Sequence, residues 1–257
     1  MRILLPPSEA KRAGGPGRRA KPSLGAHPGD DPVLAAARAK VAAALIELCS
    51  GNAEVAAAAL RLPARAAAGA LADNRAVLDA ARRPAIDRYS GIVYDGLDVT
   101  TLTAAARRRT EQTVLIFSGL WGVVGAAEPV PSYRLPVAAS LPALRALTGF
   151  WRPVLADIVP TLLDDELIVD LRSTDYAAMW RPARDDERHV GVRVLTPQPG
   201  RAPAVISYPS KLGKGRLVRA LVGRRPRLTR PAQIIDAWRA VGGSDGWETG
   251  RGVELLT

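Results

Sequence analysis

The chain carries five lysines among its 257 residues, and two of them, Lys211 and Lys214, stand three apart in the run Ser207-Tyr208-Pro209-Ser210-Lys211-Leu212-Gly213-Lys214-Gly215-Arg216-Leu217. Hydroxyls, ammonium groups and glycines at that density suit a phosphate, because cations supply charge and glycines let backbone come close to the anion. Apolar periodicity predicts a helix over 214–222, which puts both lysines at a helix N-terminus. The macrodipole disfavours cations there, so an anion would compensate. The run lacks the Gly-x-x-x-x-Gly-Lys-Ser/Thr order and is not a nucleotide-triphosphatase loop. A solvated basic turn is the plain alternative.

Four other runs concentrate similar groups. Pro6-Pro7-Ser8-Glu9-Ala10-Lys11 places a hydroxyl, a carboxylate and an amine just after an apolar stretch. Tyr89 to Asp98 holds two tyrosines, two glycines and two carboxylates. Tyr94 there could stack on a base or donate to a phosphate, and a tight turn with buried tyrosines and a capping Asp95 reads equally from the same residues. Phe117-Ser118-Gly119-Leu120-Trp121-Gly122 could present amides and the Ser118 hydroxyl to an anion, and Tyr133-Arg134 adds an aromatic and a guanidinium suited to stacking and bidentate contact. The alternative for Arg134 is to satisfy buried carbonyls. In Asp170-Leu171-Arg172-Ser173-Thr174-Asp175-Tyr176, Arg172 could hold a phosphate or carboxylate, while Asp175 could accept a proton, position Arg172 or cap a helix.

These groups need elements to present them, and the hydrophobic pattern supplies candidates. Short apolar runs predict strands at 2–5, 114–118, 167–171, 193–195 and 204–207, and helical spacing predicts helices over 33–48, 54–60, 63–74, 150–163, 214–222 and 231–241. Strands and helices intermingle without strict alternation, so the expected class is α/β of the α+β kind, a mixed sheet flanked by helices. The whole chain, 1–257, reads as one domain with a helical subdomain at about 33–82. Arg12 to Pro32, rich in Gly, Pro and basic residues, reads as a flexible loop. The turn around Leu60 to Pro63 loosely matches the joint of paired helices that grip DNA backbone by amide groups, and matches an ordinary helix turn at least as well.

Composition narrows the partners. Against 25 Asp+Glu stand 36 Lys+Arg, a net charge of +11, which favours polyanions. An Arg-rich, Ala-rich chain can also reflect genome composition, so local clusters weigh more than the total. The lone Cys49 excludes an intrachain disulfide framework, and with His27 and His189 as the only histidines a multi-histidine metal centre is not expected. No apolar stretch reaches the ~20 residues of a membrane helix and the N-terminus lacks a signal-peptide core, so a cytoplasmic protein with no membrane partner is expected. No cofactor and no obligate protein partner are evident.

Taken in order, L-L-P-P-S-E-A-K, Y-S-G-I-V-Y-D-G-L, F-S-G-L-W-G-V-V with Y-R-L-P, D-L-R-S-T-D-Y and S-Y-P-S-K-L-G-K-G-R-L resemble the YaaA family of peroxide-stress proteins over residues 3–217. The resemblance implies a fold peculiar to that family, a positively charged cleft, a helix-hairpin-helix-like element, DNA binding and a part in limiting hydrogen-peroxide and iron-dependent damage. It carries over to Ser8, Lys11, Tyr94, Gly96, Ser118, Gly119, Gly122, Tyr133 and Arg134, and less closely to Lys211, Gly215 and Arg216. The acidic insertion in Pro7-Ser8-Glu9-Ala10-Lys11 and Gly125-Ala126-Ala127-Glu128 depart from the family pattern and mark a divergent branch. The leading expectation is binding of double-stranded or structurally perturbed DNA through Ser8, Lys11, Tyr94, Ser118, Tyr133, Arg134, Arg172, Ser210, Lys211, Lys214 and Arg216. The alternative is a lyase- or glycosylase-like enzyme acting on a nucleobase or nucleotide, with Lys11 or Lys211 as nucleophile or acid/base group and Asp175 or Glu9 as partner.

Overall fold

The computed structural model describes residues 1–15, 31–163, 165–224, 228–250 and 252–257. Most of the loop expected over Arg12 to Pro32, with His27, lies outside the described residues. Strand β1 (Arg2–Leu5) runs parallel to β2 (Val114–Ser118) on one side and to β4 (Ile168–Asp170) on the other. All three are short apolar runs, and a parallel sheet covered on both faces demands continuous rather than alternating hydrophobicity. Leu4, Leu5, Ile116, Phe117 and Val169 are accordingly fully buried.

Beyond β4 the parallel set continues through β5 (His189–Gln198) to β8 (Gly252–Leu256). Antiparallel partners close the flanks: β3 (Gly122–Gly125) against β2, β6 (Arg201–Ala204) against β5, and β7 (Asp245–Thr249) against β8. The order β7-β8-β5-β4-β1-β2-β3, with β6 beside β5, makes an eight-stranded mixed sheet, the mixed α/β class expected. The chain leaves β1 for one neighbour and later returns to the other. Their connections diverge there and open a crevice beyond the carboxyl ends of β1 and β4, where open α/β sheets bind ligands.

Helix α1 (Pro32–Ser50) starts at Asp31, whose carboxylate accepts from Val33 N at 2.8 Å and Leu34 N at 2.9 Å, with proline in the first turn. Helices α2 (Ala53–Ala59) and α3 (Ala64–Arg75) follow, bent by 98° about a joint in which Arg61 adopts φ 53. Four further helices cover the sheet or line the crevice: α4 (Ile92–Leu97), α5 (Ala104–Thr113), α6 (Leu147–Leu162) and α8 (Ala232–Arg239). Among the described residues no single helix is long and apolar enough to cross a membrane.

Helix α7 (Ser207–Gly223) differs most from the sequence expectation. The basic run does not precede the helix but forms its first three turns, and of the strand expected over 204–207 only Ala204 belongs to β6, Val205 and Ile206 lying between it and α7. Glycine weakens isolated helices, but tertiary contact reverses the balance here. Gly215 meets Gly96 of α4 so closely that a Cβ on Gly215 would lie 2.0 Å from Val93 O and 2.8 Å from Gly96 Cα. The two helices pack backbone to backbone, and Gly215 with Gly96 makes the fit.

Candidate functional site

A cavity of about 830 Å³ occupies the crevice, bounded by the segment after β1, the segment after β4, Tyr133–Pro136, the start of α4 and one face of α7. That volume suits a small molecule or one unit of a larger one. Ser8, Glu9, Lys11, Tyr94, Tyr133, Arg134, Arg172, Asp175, Ser210, Lys211 and Lys214 all line it. The structure thus brings together eleven residues that the sequence placed in five separate runs. Ser118 and Arg216 are not among them.

Lys11 continues from the β1 end, pinned by a bridge to Tyr89 and by Arg12 N donating to Arg88 O at 2.9 Å. Its Nζ donates to Ser8 O at 2.9 Å and to Glu9 O at 3.4 Å, and lies 4.1 Å from the Tyr133 ring centre and 5.4 Å from that of Tyr89. Among the described residues no carboxylate pairs with it. Burial, then the charges of Arg134 and Arg88, outweigh Glu9 and Asp73 and lower the Lys11 amine to about 7. Glu9 is itself engaged by the Arg134 guanidinium. The Arg134 Nε is buried and has no partner among the described residues.

Behind Lys11 the tyrosines turn inward. The Tyr133 hydroxyl joins Ser118 Oγ at 2.6 Å and Tyr89 OH at 2.7 Å, a buried chain in which burial raises the Tyr89 phenol to about 12 and lifts Tyr133 well above its ordinary value. Tyr94 is equally buried and donates to Pro6 O at 2.9 Å. Two expectations are corrected. Tyr94 and Tyr133 are not free to stack on a base, since their rings are core residues. Ser118 is not an anion contact: it is fully buried and accepts from Leu120 N and Trp121 N, so those two amides of its turn are already satisfied. Gly122 in that turn adopts φ 69 beneath the Trp151 ring, where any Cβ would collide at 2.7 Å.

The opposite wall is an ion network. Arg172 grips Asp170 through Nε–Oδ1 at 2.9 Å and Nη2–Oδ2 at 2.7 Å, stacks 4.1 Å from the Phe117 ring centre, and shares Asp170 with His189 Nε2 at 3.0 Å. Burial alone would raise the Asp170 carboxyl; the hydrogen bonds of His189 and Arg172 outweigh it and hold the group below its ordinary value. Most of the Arg172 fork is therefore committed, so it braces the cavity rather than clamping a phosphate. Asp170 and His189 were missed as site residues. Asp170 sits in an apolar strand, and no sequence spacing links it to His189. Asp175 lies in the one-turn helix Thr174–Ala177, where no side chain caps the N-terminus, so capping does not explain it.

From α7, Ser207, Ser210, Lys211 and Lys214 face the cavity. Lys214 Nζ donates to Leu171 O at 2.9 Å and Arg172 O at 3.4 Å, tying the helix to the loop after β4, and burial lowers its pKa. Lys211 is exposed and, among the described residues, has no partner. Arg216, expected among the phosphate contacts, is exposed and is not among the residues that line the cavity. Val205 and Arg193 also line the cavity, and Tyr208, next in the chain to the lining Ser207, is 61% exposed.

Comparison with known proteins gives concordant results. Residues 1–240 match the model of a family described as peroxide stress protein YaaA. The chain is 41% identical over 244 residues to UPF0246 protein SCO2297 of Streptomyces coelicolor, covering 94% of this chain and 90% of that one. It is 35% identical over 248 residues to UPF0246 protein Cgl1995/cg2186 of Corynebacterium glutamicum, covering 94% and 93%. UPF0246 protein CE1889 of Corynebacterium efficiens is 33% identical over 247 residues, with 94% and 93% covered.

Proposed function

Since the chain belongs to the peroxide stress protein YaaA family, we propose that it binds DNA through the cleft beyond β1 and β4, in a response that limits oxidative, iron-dependent damage. The observation that carries this reading is the charge of the cavity. Besides the lowered Lys11 amine and the Asp170-paired Arg172, the cations Arg134, Arg193, Lys211 and Lys214 line it against only Glu9 and Asp175. Such an excess raises the local concentration of a polyanion and grips phosphate oxygens. The exposed, unpartnered Lys211 is the group best placed to do so.

The exposed Tyr208 supplies the aromatic surface that the buried tyrosines cannot, and stacking on such a ring serves single-stranded or perturbed DNA. The α2–α3 joint offers a second grip. No side chain caps α3, and the exposed Arg61 and Arg65 flank its first turn, in the manner of a helix-hairpin-helix contact with backbone phosphate.

The test is fluorescence anisotropy of labelled duplex and single-stranded DNA over a range of salt. Affinity is expected to fall steeply, with log K linear in log salt, and Lys211→Ala combined with Lys214→Ala is expected to reduce the slope by at least the one phosphate contact of the unpartnered Lys211. A flat salt plot, or unchanged affinity in a double variant that circular dichroism shows to be folded, would sink the reading.

A further inference from the structure

We infer that Lys11 is a covalent nucleophile that condenses with the aldehyde of a phosphate-bearing ligand held in the cleft. For its natural substrate, the ring-opened sugar of an abasic site, the inference rests on the DNA-binding reading above.

The geometry around the amine is the ground for this. Lys11 lines a cavity that can admit one nucleotide unit. Its two carbonyl acceptors, Ser8 O and Glu9 O, account for both N–H bonds of a neutral amine. The lone pair is left as the remaining tetrahedral direction. The charged groups facing Nζ from every side leave it without a counter-ion. Glu9 is engaged by Arg134, Asp73 accepts from Ser132 Oγ at 2.6 Å, and the Arg88 guanidinium, held by backbone carbonyls such as Val130 O, adds a like charge. A lysine kept neutral near physiological pH in this way is an activated nucleophile.

An aldehyde is the electrophile that asks least of the remaining residues. The Lys11 nitrogen adds to the carbonyl carbon, the N–C bond forms, and the carbonyl oxygen departs as water with both amine hydrogens. No oxidant, reductant or activated leaving group enters the balance. Lys211 and Arg134 stand across the same cavity to hold the phosphate that accompanies the aldehyde.

Borohydride trapping tests this. The full chain is incubated with sodium borohydride and, separately, a duplex containing one abasic site, the intact duplex, and glyceraldehyde 3-phosphate; adducts are located by peptide mass spectrometry. A reduced adduct on Lys11 is expected with the abasic duplex, none with the intact one, and loss of the adduct in Lys11→Arg. An adduct with the small aldehyde but not with abasic DNA would keep the nucleophile and assign its substrate to free phosphorylated aldehydes, whether or not DNA binds. DNA binding without a Lys11 adduct from either aldehyde would overturn the inference and leave the binding reading standing. Equal labelling of Lys211 or Lys214 would also overturn it. The rate of adduct formation is expected to level off above about pH 7, the point set by the lowered amine; a rate still climbing toward that of an ordinary surface lysine would count against it.

Discussion

Tyr133 stands at the centre of the residue-scale chemistry. Its ring supports the Lys11 amine and its hydroxyl is the middle member of the Ser118–Tyr133–Tyr89 chain. The buried amine must then leave a mark on stability. Lys11 is protonated in the unfolded chain up to 10.5 but only up to about 7 in the folded one, so the unfolded state binds more protons between those values. The stability linked to this group is fully present above 10.5 and is lost as pH falls toward 7. Lys11→Met is therefore expected to raise the melting temperature, with the gap widest near about pH 6 and narrowing toward about pH 10. Thermal melts followed by circular dichroism read this directly, and a gap independent of pH would contradict it. Asp170→Asn should act in the opposite sense by stranding the buried Arg172 charge, at a cost of about 3–5 kcal/mol measurable by urea unfolding. Lys11 and Arg172 were legible in the sequence because cations at strand ends are conspicuous. That most of the Arg172 fork is spent on Asp170, and that Tyr94 and Tyr133 are core, was not, since neither burial nor pairing across the fold shows in residue type.

At the scale of elements, the wall formed by α7 is held by its fit to α4. A methyl group on Gly215 would meet backbone atoms of Val93, Gly96 and Leu97, none of which can turn aside. Gly215→Ala should destabilise by about 3 kcal/mol. Gly223→Ala in the same helix, where no atom lies within 4 Å of a Cβ, should instead be neutral or gain up to about 1 kcal/mol from helix propensity. Equal effects of the two, in denaturant titrations, would show that packing against α4 is not what the glycine serves. This contact also explains why the start of α7 was misplaced. Pro209 and two glycines read locally as a loop, and only the approach of another helix makes them part of one. The hairpin β7–β8 escaped for a related reason: it completes the sheet by pairing with β5, some 60 residues away in the chain. By contrast β1, β2 and β4 were plain from their continuous apolar runs.

On the scale of the whole molecule, the sheet order places the cavity where the chain changes direction at β1, and the surplus of arginine gives the molecule its charge of +11. The total charge said little about where a polyanion would sit. The convergence of five separated runs on one crevice says more, because topology alone brings the ends of β1 and β4, the loop at Tyr133 and the face of α7 together. Much of the site's membership was therefore readable from motif content, whereas its division into bracing and available groups required the fold. The backbone seam between α4 and α7 adds a thermodynamic consequence. Lys214 fastens the same helix to the loop after β4. A wall secured at both seams has already lost its conformational freedom when the chain folds. A ligand entering the cleft meets a preorganised surface, and little of its binding free energy is consumed in ordering the protein.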